Sequence, residues 1–331
     1  MTPSGREEVW LMSHSSMDNM AERIVQLCEL SKEKNPPSKR RCALFKKNIQ
    51  WDHFKDGFPN IFIDDVKDMA GKDVIFLASF HTPAVIFEQL SVLYAIPRYL
   101  ARSFHIILPY FATGTMEKID KEGQVVTAKT LATLLSAVPL TARGPAQILM
   151  FDIHALQERF YFGDNVIPRL VSAIPLIKRE LENLEQESWC VVFPDDGAFK
   201  RFGSFFPDNT VVTCSRLSEG AHKIIRIRGG KPAGKHAVII DDLVHTGNTL
   251  VECAKTLLCS GAVAVSAYAT HAMFTLESWR RFVEGDVQFA NFWITDSVPQ
   301  AQEISQHPPF KLLSLVEVIA EVMLGYDLMQ Y

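Results

Sequence analysis

One segment combines acidic, hydroxyl and glycine residues at a spacing that suits the binding of a sugar phosphate. Residues Ala237–Thr249 read AVIIDDLVHTGNT, an apolar run that ends in Asp241 and Asp242 and continues into a loop with Thr246 and Gly247. The backbone amides of such a loop, at the start of a helix, offer hydrogen-bond donors and positive partial charge to a phosphate. The two carboxylates accept hydrogen bonds from the vicinal hydroxyls of a sugar. The segment therefore predicts a ribose 5-phosphate site.

Two other phosphate-binding motifs are absent from the sequence. No GxxxxGK[ST] run occurs, which excludes a Walker loop, and no GxGxxG triplet follows a strand, which excludes the common dinucleotide fingerprint. An ordinary helix cap after a strand is the structural alternative for Asp241 and Asp242. Because two consecutive acids at the end of a buried strand are costly to bury without partners, we favour the binding site.

Apolar, strand-like runs alternate with helical patterns along the chain, and these elements must position the acidic segment. The alternation restarts after about residue 160. This pattern predicts an α/β fold of two similar domains with mainly parallel sheets, in which ligands bind at the carboxyl ends of strands. The predicted domains are residues 1–160 and 161–312, followed by a C-terminal helix at 313–331 that packs back on the first domain. The predicted strands are Val9–Ser13, Ile61–Ile63, Val74–Leu77, Ile106–Leu108, Ile148–Phe151, Cys190–Phe193, Val211–Thr213, Ala237–Ile240 and Val263–Tyr268.

Composition and charge limit the classes of function. The 331 residues carry a net charge of -4, which gives no global electrostatic basis for binding nucleic acid or an anionic membrane. The basic segment Ser31–Arg41 is interpreted as a solvated surface loop. An uncharged stretch, Thr256–Leu276, is interpreted as a helix end and a buried strand rather than a membrane span. Six cysteines without zinc spacing and an N-terminus without an apolar signal core predict a soluble cytoplasmic protein.

Further motifs, taken with the acidic segment, resemble the ribose-phosphate pyrophosphokinase (phosphoribosyl pyrophosphate synthase) family. They follow in the order found in that family, from about Val9 to Leu324, and several look like its plant-type, phosphate-independent branch. The resemblance implies two phosphoribosyltransferase-like (Rossmann-like) domains, the first on the ATP side and the second binding the phosphoribosyl group. The motifs are FKDGFPN (Phe54–Asn60), PYFATGTMEK (Pro109–Lys118), FDIHALQERFYFG (Phe151–Gly163), FPDDGAFKR (Phe193–Arg201) and YATHAMF (Tyr268–Phe274).

The resemblance implies a reaction between ATP and ribose 5-phosphate. The diphosphoryl group of ATP passes to the 1-hydroxyl of the ribose, AMP is released, and Mg²⁺ bridges the phosphate oxygens. By resemblance, the metal contacts are Asp152, His154 and Asp195. His154 and Asp195 are also interpreted as catalytic residues, together with Arg216. In such a reaction the protein mainly positions the reactants and neutralises phosphate charge.

The residues that bind ATP and ribose 5-phosphate are also assigned by resemblance. In the FKDGFPN motif Phe58 replaces the family's glutamate, and Asp56-Gly57 also forms a good turn dipeptide. The expected ATP contacts are Phe54, Asp56, Phe58, Thr115 and Glu117, with Thr115 and Met116 in place of the family's usual Arg-Gln pair. The expected ribose 5-phosphate contacts are Asp241, Asp242, Val244, His245, Thr246, Gly247, Asn248 and Thr249.

One departure from the family concerns the residue expected closest to the transferring phosphates. Arg216 stands where the family has a lysine on a mobile loop, and Ser218 stands where it has an arginine. Arg216 keeps the positive charge, but its planar guanidinium differs from a compact ammonium. His222, Lys223, Arg226 and Arg228 follow in the same predicted loop, either as further phosphate-binding charges or as a solvated basic face.

Two alternatives to the enzyme reading stay open at this point. A non-catalytic family member that regulates active subunits is favoured by Arg216 and Ser218. A phosphoribosyltransferase acting on a nucleobase leaves the N-terminal motifs unexplained. The family is oligomeric and often hexameric, so the resemblance implies a homo-oligomer or a hetero-oligomer with related subunits.

Overall fold

The computed structural model describes residues 8–34, 42–182, 188–219 and 222–325 of the chain. The chain divides into two compact units. The first unit ends at Val171 and also includes the segment that begins at Leu315, whereas the second unit is Ser172–Ser314. Each unit contains a mainly parallel sheet with helices in the connections, so the predicted α/β fold is confirmed.

The helices and strands of the described residues have the following bounds, in chain order. The strands are β1 (Glu8–Ser13), β2 (Cys42–Phe45), β3 (Ile49–His53), β4 (Pro59–Ile63), β5 (Asp73–Leu77), β6 (Ser103–Leu108), β7 (Ala146–Phe151), β8 (Val166–Val171), β9 (Trp189–Phe193), β10 (Val211–Glu219), β11 (His222–Gly229), β12 (His236–Val244), β13 (Ala264–Ala272), β14 (Phe292–Thr295) and β15 (Phe310–Leu313). The helices are α1 (Asp18–Lys34), α2 (Val66–Met69), α3 (Pro83–Arg98), α4 (Thr127–Ser136), α5 (Ile174–Glu182), α6 (Asp196–Phe202), α7 (Asn248–Cys259), α8 (Arg281–Glu284), α9 (Ala301–Ile304) and α10 (Val316–Gly325).

The sheet of the first unit has the order β2-β1-β5-β6-β7-β8, and its paired strands are parallel. Strands β5 and β6 are buried at every residue, which is typical of a parallel sheet covered on both faces. Strands β3 and β4 form a separate antiparallel hairpin. Helix α10 packs against α1, so the last described helix belongs to this unit.

The sheet of the second unit places the acidic segment on an interior strand. Its order is β11-β10-β9-β12-β13-β14-β15, and β11 pairs with β10 in the antiparallel direction while the other pairs are parallel. Strand β12 therefore lies between β9 and β13. Its apolar residues Val238 and Ile240 join a fully buried core with Val191, Phe193 and Tyr268. The core fixes the strand whose carboxyl end carries the acids.

Several expected boundaries differ from the structure. The domain boundary after residue 160 falls before β8, which pairs with β7 and completes the first sheet, so the first unit continues to Val171. The predicted surface loop from Ser31 begins inside α1, and the rest of that basic segment, residues 35–41, lies outside the described residues. The predicted loop around Arg216 is instead the β10–β11 hairpin, because the two strands pair across most of their length.

The uncharged stretch from Thr256 to Leu276 has the structure that its polarity predicted. It contains the last turn of α7 and all of β13, which pairs with β12 and β14. Within the described ranges, every helix is too short or too polar to cross a membrane.

Candidate functional site

The two acids of the second unit lie near the end of β12, which continues through them to Val244. Both are buried, with relative exposures of 6% for Asp241 and 1% for Asp242. Because neighbouring residues of a strand point to opposite faces, their side chains leave the strand in different directions. The backbone N–H of Asp242 donates to Oδ1 of Asp241 at 3.0 Å, which links the pair.

A guanidinium from α6 compensates these buried carboxylates. Arg201 donates from Nη2 to Oδ1 of Asp242, and the same nitrogen lies 3.6 Å from Oδ1 of Asp241. Burial raises the pKa of Asp241 well above its usual range, and the charges of Asp242 and Asp195 raise it further, while Arg201 lowers it. Asp195, Asp241 and Asp242 therefore form an acidic cluster whose charge Arg201 partly offsets.

Asp195, a predicted metal contact, begins α6. Its Oδ1 accepts from the backbone N–H of Ala198 at 2.9 Å, which caps the helix. Its Oδ2 accepts from Nη2 of Arg216 at 2.8 Å. The structure thus brings together two residues that the sequence assigned separately, one as a magnesium contact and the other as the phosphate-binding cation.

The segment after the acids forms a turn that opens α7. His245 and Thr246 connect β12 to Gly247, whose φ of 76° is in the left-handed region, and α7 then continues for 12 residues. A Cβ at Gly247 would lie 2.5 Å from the ring of Phe282, so close packing as well as backbone conformation requires glycine here. The start of α7 presents backbone N–H groups and positive partial charge, as predicted.

Side chains of the turn differ in exposure. Val244 is 3% exposed and belongs to the core, so only its backbone is available to a ligand. Thr246 and Asn248 are exposed, whereas His245 and Thr249 are half-buried. The exposed polar residues lie at the turn and the buried residue lies on the strand.

A downstream segment braces this turn. The hydroxyl of Ser278 donates to the backbone carbonyl of His245 at 2.6 Å, and the N–H of Thr275 donates to the same oxygen at 3.2 Å. Arg281 donates to the side-chain oxygen of Asn248, which brings a second guanidinium to the start of α7. Acceptors on the strand and donors at the helix start suit a ligand that carries hydroxyls at one end and phosphate at the other.

In the first unit, the predicted ATP motif forms the tip of the β3–β4 hairpin. The N–H of Phe54 donates to the carbonyl of Phe58 at 2.8 Å, and the N–H of Phe58 donates to Oδ1 of Asp56 at 3.1 Å. Gly57 has a φ of 85°, as the Asp-Gly turn requires. The rings of Phe54 and Phe58 are 55% and 65% exposed, so both are accessible to a ligand or a second protein surface.

The structure also brings the second predicted ATP segment close to His154 within the first unit. A Cβ at Gly114 would lie 3.4 Å from Cβ of His154, and the hydroxyl of Tyr161 donates to the backbone carbonyl of Glu117. The side chain of Thr115 is exposed. These contacts hold the segment around residues 113–117 beside a predicted metal contact.

Two of the three predicted metal residues carry a carboxylate, the ligand type that magnesium prefers. Asp152 is buried at the end of β7, with a φ of 38°, and His154 is half-buried two residues later. Asp195 offers a partly exposed carboxylate, the ligand type that magnesium prefers. Among the residues that the structure describes, no three His, Cys, Asp or Glu side chains form a ready-made metal cluster. The partly exposed carboxylate of Asp195 suits a magnesium ion that keeps several waters and phosphate oxygens as ligands.

The phosphate-binding cations predicted after Arg216 lie on the β10–β11 hairpin. Arg216 pairs with Ile225 across the two strands. Arg228 lies on β11 and approaches Oδ2 of Asp196 at 3.5 Å, in an exposed ion pair. The side chains of Ser218, His222 and Lys223 lie outside the described part of the chain.

Comparisons with known proteins identify the family of this chain. The N-terminal domain of ribose phosphate pyrophosphokinase matches residues 9–138, and the phosphoribosyl synthetase-associated domain matches residues 221–325. Ribose-phosphate pyrophosphokinase 4 of Arabidopsis thaliana is 48% identical over 282 residues, which are 83% of this chain and 84% of that protein. The chain belongs to the ribose-phosphate pyrophosphokinase family.

Other members of this family place the chain closer to plant proteins than to a bacterial one. Ribose-phosphate pyrophosphokinase 3, mitochondrial, of Spinacia oleracea is 46% identical over 85% of this chain and 71% of its own length. The ribose-phosphate pyrophosphokinase of Nitrosomonas europaea is 28% identical over 82% of this chain and 84% of its own length. Because plant relatives include proteins named mitochondrial and chloroplastic, the cytoplasmic location stays a prediction.

A solved structure supports the fold of the pyrophosphokinase family. The phosphoribosylpyrophosphate synthetase from Mycobacterium smegmatis aligns with a TM-score of 0.78 over 96% of this chain and 98% of that chain. Its sequence identity is 19%, so the likeness concerns the fold alone.

Sequence reasoning missed residues whose role depends on contacts far along the chain. Arg201 stood in the quoted FPDDGAFKR motif, but nothing in the spacing indicated that it pairs with Asp242. The brace formed by Ser278 and Arg281 had no signal in the sequence. Thr113 has a φ of 65°, a rare conformation for a β-branched residue and one that marks strained, functional segments.

Proposed function

We propose that this protein is a ribose-phosphate diphosphokinase that takes part in nucleotide biosynthesis. The 1-hydroxyl oxygen of ribose 5-phosphate bonds to the β-phosphorus of ATP, and the bond between that phosphorus and the α,β-bridging oxygen breaks. AMP leaves, the hydroxyl proton is released, and 5-phosphoribosyl 1-diphosphate forms. The observation that carries the proposal is the buried Asp241–Asp242 pair followed by a turn and a helix start.

The ribose 5-phosphate roles follow from the chemistry of these groups. The carboxylates of Asp241 and Asp242 accept hydrogen bonds from the 2- and 3-hydroxyls of the ribose. The backbone from His245 to Thr249, with the hydroxyls of Thr246 and Thr249, binds the 5-phosphate. Fixing both ends of the sugar leaves its 1-hydroxyl in a defined place, which is the main contribution a protein makes to phosphoryl transfer.

ATP is assigned to groups of the first unit. The exposed ring of Phe54 stacks on the adenine, and Asp56 accepts a hydrogen bond from its amino group. Thr115 and Glu117 bind the polar part of the nucleotide from the segment beside His154.

A bound magnesium ion would neutralise negative charge on the phosphates during transfer. The proposed metal contacts are Asp195 in the second unit and, considered separately, Asp152 and His154 in the first unit. We expect phosphate oxygens and water to supply the remaining ligands.

Arg216 is the proposed cation for the transferring phosphates. It now donates to Asp195 from a half-exposed position, with 42% of its side chain accessible. An exposed ion pair of this kind contributes only about 0–1 kcal/mol, so its opening toward a phosphate is inexpensive. A guanidinium can then bind two phosphate oxygens at once.

The deciding experiment measures AMP formation from ATP and magnesium with and without ribose 5-phosphate. The proposal predicts AMP that depends on ribose 5-phosphate, in equal amount to 5-phosphoribosyl 1-diphosphate, in the natural protein. A folded and correctly assembled protein that makes no such AMP in several buffers would exclude the enzyme. Formation of ADP in place of AMP would exclude diphosphoryl transfer.

A regulatory subunit without activity is the second candidate, and Arg216 in place of the family lysine is the observation that favours it. The variant Arg216→Lys separates the two. If the natural protein is inactive and the variant is active, the regulatory function is correct. If the natural protein turns over and the variant changes only the rate, the enzyme is correct.

Assembly into a homo-oligomer, a hexamer by family resemblance, or a hetero-oligomer with related subunits also belongs to this proposal. Three aromatic rings on the β3–β4 hairpin, those of Phe54, Phe58 and Phe62, are 55–65% exposed. Exposed aromatic residues clustered on one hairpin are typical of a binding surface. Light scattering of the purified protein measures the mass, and a monomer at all concentrations with full activity would contradict this part.

A further inference from the structure

Arg201 is the residue outside the predicted site that contacts the site most directly. It lies on α6, and its guanidinium donates to Asp242 and approaches Asp241 at 3.6 Å. Its side chain is only 10% exposed, compared with 42% for Arg216. Arg201 is therefore buried beside two acids, whereas Arg216 makes a more exposed ion pair with Asp195.

The local sequence makes room for this guanidinium. Gly197 precedes Arg201 by one helical turn, so their side chains share a helix face. A Cβ at Gly197 would lie 3.2 Å from Nη1 of Arg201 and 3.2 Å from Oδ1 of Asp195. Glycine at this position therefore leaves space for the guanidinium that contacts Asp242 and approaches Asp241.

The pocket requires such a cation. The carboxylates of Asp241 and Asp242 are adjacent in the chain and buried together, and the charge of Asp195 also acts on Asp241. Buried acids that lack compensation take up protons or force the structure to rearrange, and either outcome removes hydrogen-bond acceptors. Ribose hydroxyls need those acceptors.

We propose that Arg201 is a positioning residue that holds the carboxylates of Asp241 and Asp242 in place as acceptors for the ribose hydroxyls. The inference rests on the proposed function and names a residue that acts through the acids without touching the sugar. Arginine suits the task because its planar group holds several N–H donors in a fixed geometry. Lysine offers a compact charge without that fork.

The test compares Arg201→Gln, Arg201→Lys and the control Lys200→Gln. Lys200 is the exposed neighbour on α6, so its variant changes the same net charge outside the pocket. For Arg201→Gln we expect the KM for ribose 5-phosphate to rise by roughly 30-fold, a typical loss for a charge-assisted contact, while the KM for ATP stays within about twofold. Arg201→Lys should recover part of the loss, and Lys200→Gln should match the natural protein.

Thermal unfolding accompanies the kinetics because Arg201→Gln leaves buried acids without their cation. If that variant does not fold, Arg201→Lys, which keeps the charge, carries the test, and its KM for ribose 5-phosphate should still rise by about fivefold. Folded variants whose KM for ribose 5-phosphate is unchanged would overturn the inference. Equal rises in both KM values would also overturn it, because they indicate general structural damage.

Calorimetry distinguishes failure of this inference from failure of the proposed function. Ribose 5-phosphate is titrated into the natural protein and the variants with magnesium and a non-hydrolysable ATP analogue present. A natural protein that does not bind the sugar phosphate contradicts the proposed function. Tight binding by the natural protein and equally tight binding by both Arg201 variants contradicts only the role of Arg201.

Discussion

The acid pair of the second unit and the β3–β4 hairpin of the first unit carry the two proposed substrate sites, and they are built differently. Asp241 and Asp242 lie on an interior strand, buried, next to the guanidinium of Arg201. Phe54 and Phe58 lie at the tip of a two-stranded hairpin with most of each ring exposed. The acid pair is surrounded by residues of its own unit, whereas the hairpin exposes its rings to a ligand or another protein surface.

The two proposed sites therefore differ in how far the surrounding protein fixes their side chains before a ligand binds. The base of the hairpin is anchored because Trp51 packs edge-to-face against His14 and Phe76. Its tip, residues 54–58, is closed by turn hydrogen bonds, and isolated two-stranded hairpins are marginally stable in water. We therefore expect substitutions in the acid pair to affect both binding and stability, and substitutions at the hairpin tip to affect binding alone.

The largest effect is expected for Asp241→Asn. The variant replaces a carboxyl group, whose two oxygens can accept hydrogen bonds, with an amide that accepts at one oxygen only, so the affinity for ribose 5-phosphate should fall by about 100-fold, corresponding to roughly 3 kcal/mol. Burial raises the pKa of Asp241, which means that its ionised form destabilises the fold, so the thermal stability of the variant should equal or exceed that of the natural protein. Calorimetry and thermal melts measure both quantities, with exposed Asp208→Asn as the control.

A smaller effect is expected for Gly247→Ala, which tests the turn rather than the acids. The new Cβ would clash with the ring of Phe282, and the left-handed φ costs about 1–2 kcal/mol for a non-glycine residue. The affinity for ribose 5-phosphate should fall by about tenfold or more. Gly234→Ala is the matched control, since Gly234 has a φ of 75° and open space around its Cβ position. Equal losses of affinity for ribose 5-phosphate in the two variants would show that the close packing of Gly247 against Phe282 is unimportant.

The hairpin should respond differently to Phe54→Ala. Loss of the stacking ring should raise the KM for ATP by about fivefold, close to 1 kcal/mol, and leave the KM for ribose 5-phosphate unchanged. Because the ring is exposed, the free energy of unfolding should change by less than about 0.5 kcal/mol. Phe87→Ala, which removes an equally exposed phenylalanine from α3, controls for surface effects. A strong loss of stability would mean that the tip is packed more tightly than its exposure indicates.

Acidification is expected to have the smallest effect. It should lower the stability of the first unit because that unit contains a buried histidine, His105. Burial, together with the nearby charges of Arg169 and Arg143, lowers the pKa of His105 from 6.5 to about 4. The unfolded chain takes up this proton below pH 6.5 while the folded protein does not, so stability present above pH 6.5 is lost as the pH falls toward 4. Between pH 7.5 and 5.5 the loss is about 1 kcal/mol. Urea unfolding measures this loss. Between pH 7.5 and 5.5 the free energy of unfolding of His105→Gln should fall by about 1 kcal/mol less than that of the natural protein.

The same comparison explains what sequence reasoning could reach. The acid pair and its turn are contiguous, and their local pattern of apolar run, acids, glycine and helix start was sufficient to locate them. Arg201 and Phe282 act on that segment from distant parts of the chain, and a spacing rule carries no information about such contacts. The strand pairing that places Arg216 on a β-hairpin is likewise a tertiary property, since β10 also pairs with β9.

The central claim is that ribose 5-phosphate binds at the end of β12 and the start of α7. Hydrogen–deuterium exchange tests it directly, with magnesium and a non-hydrolysable ATP analogue present and with or without ribose 5-phosphate. We predict that ribose 5-phosphate slows exchange in peptides covering residues 241–251, and that Asp241→Asn abolishes this protection. A protein that turns over ribose 5-phosphate, yet shows protection elsewhere and none in these peptides, would contradict the account.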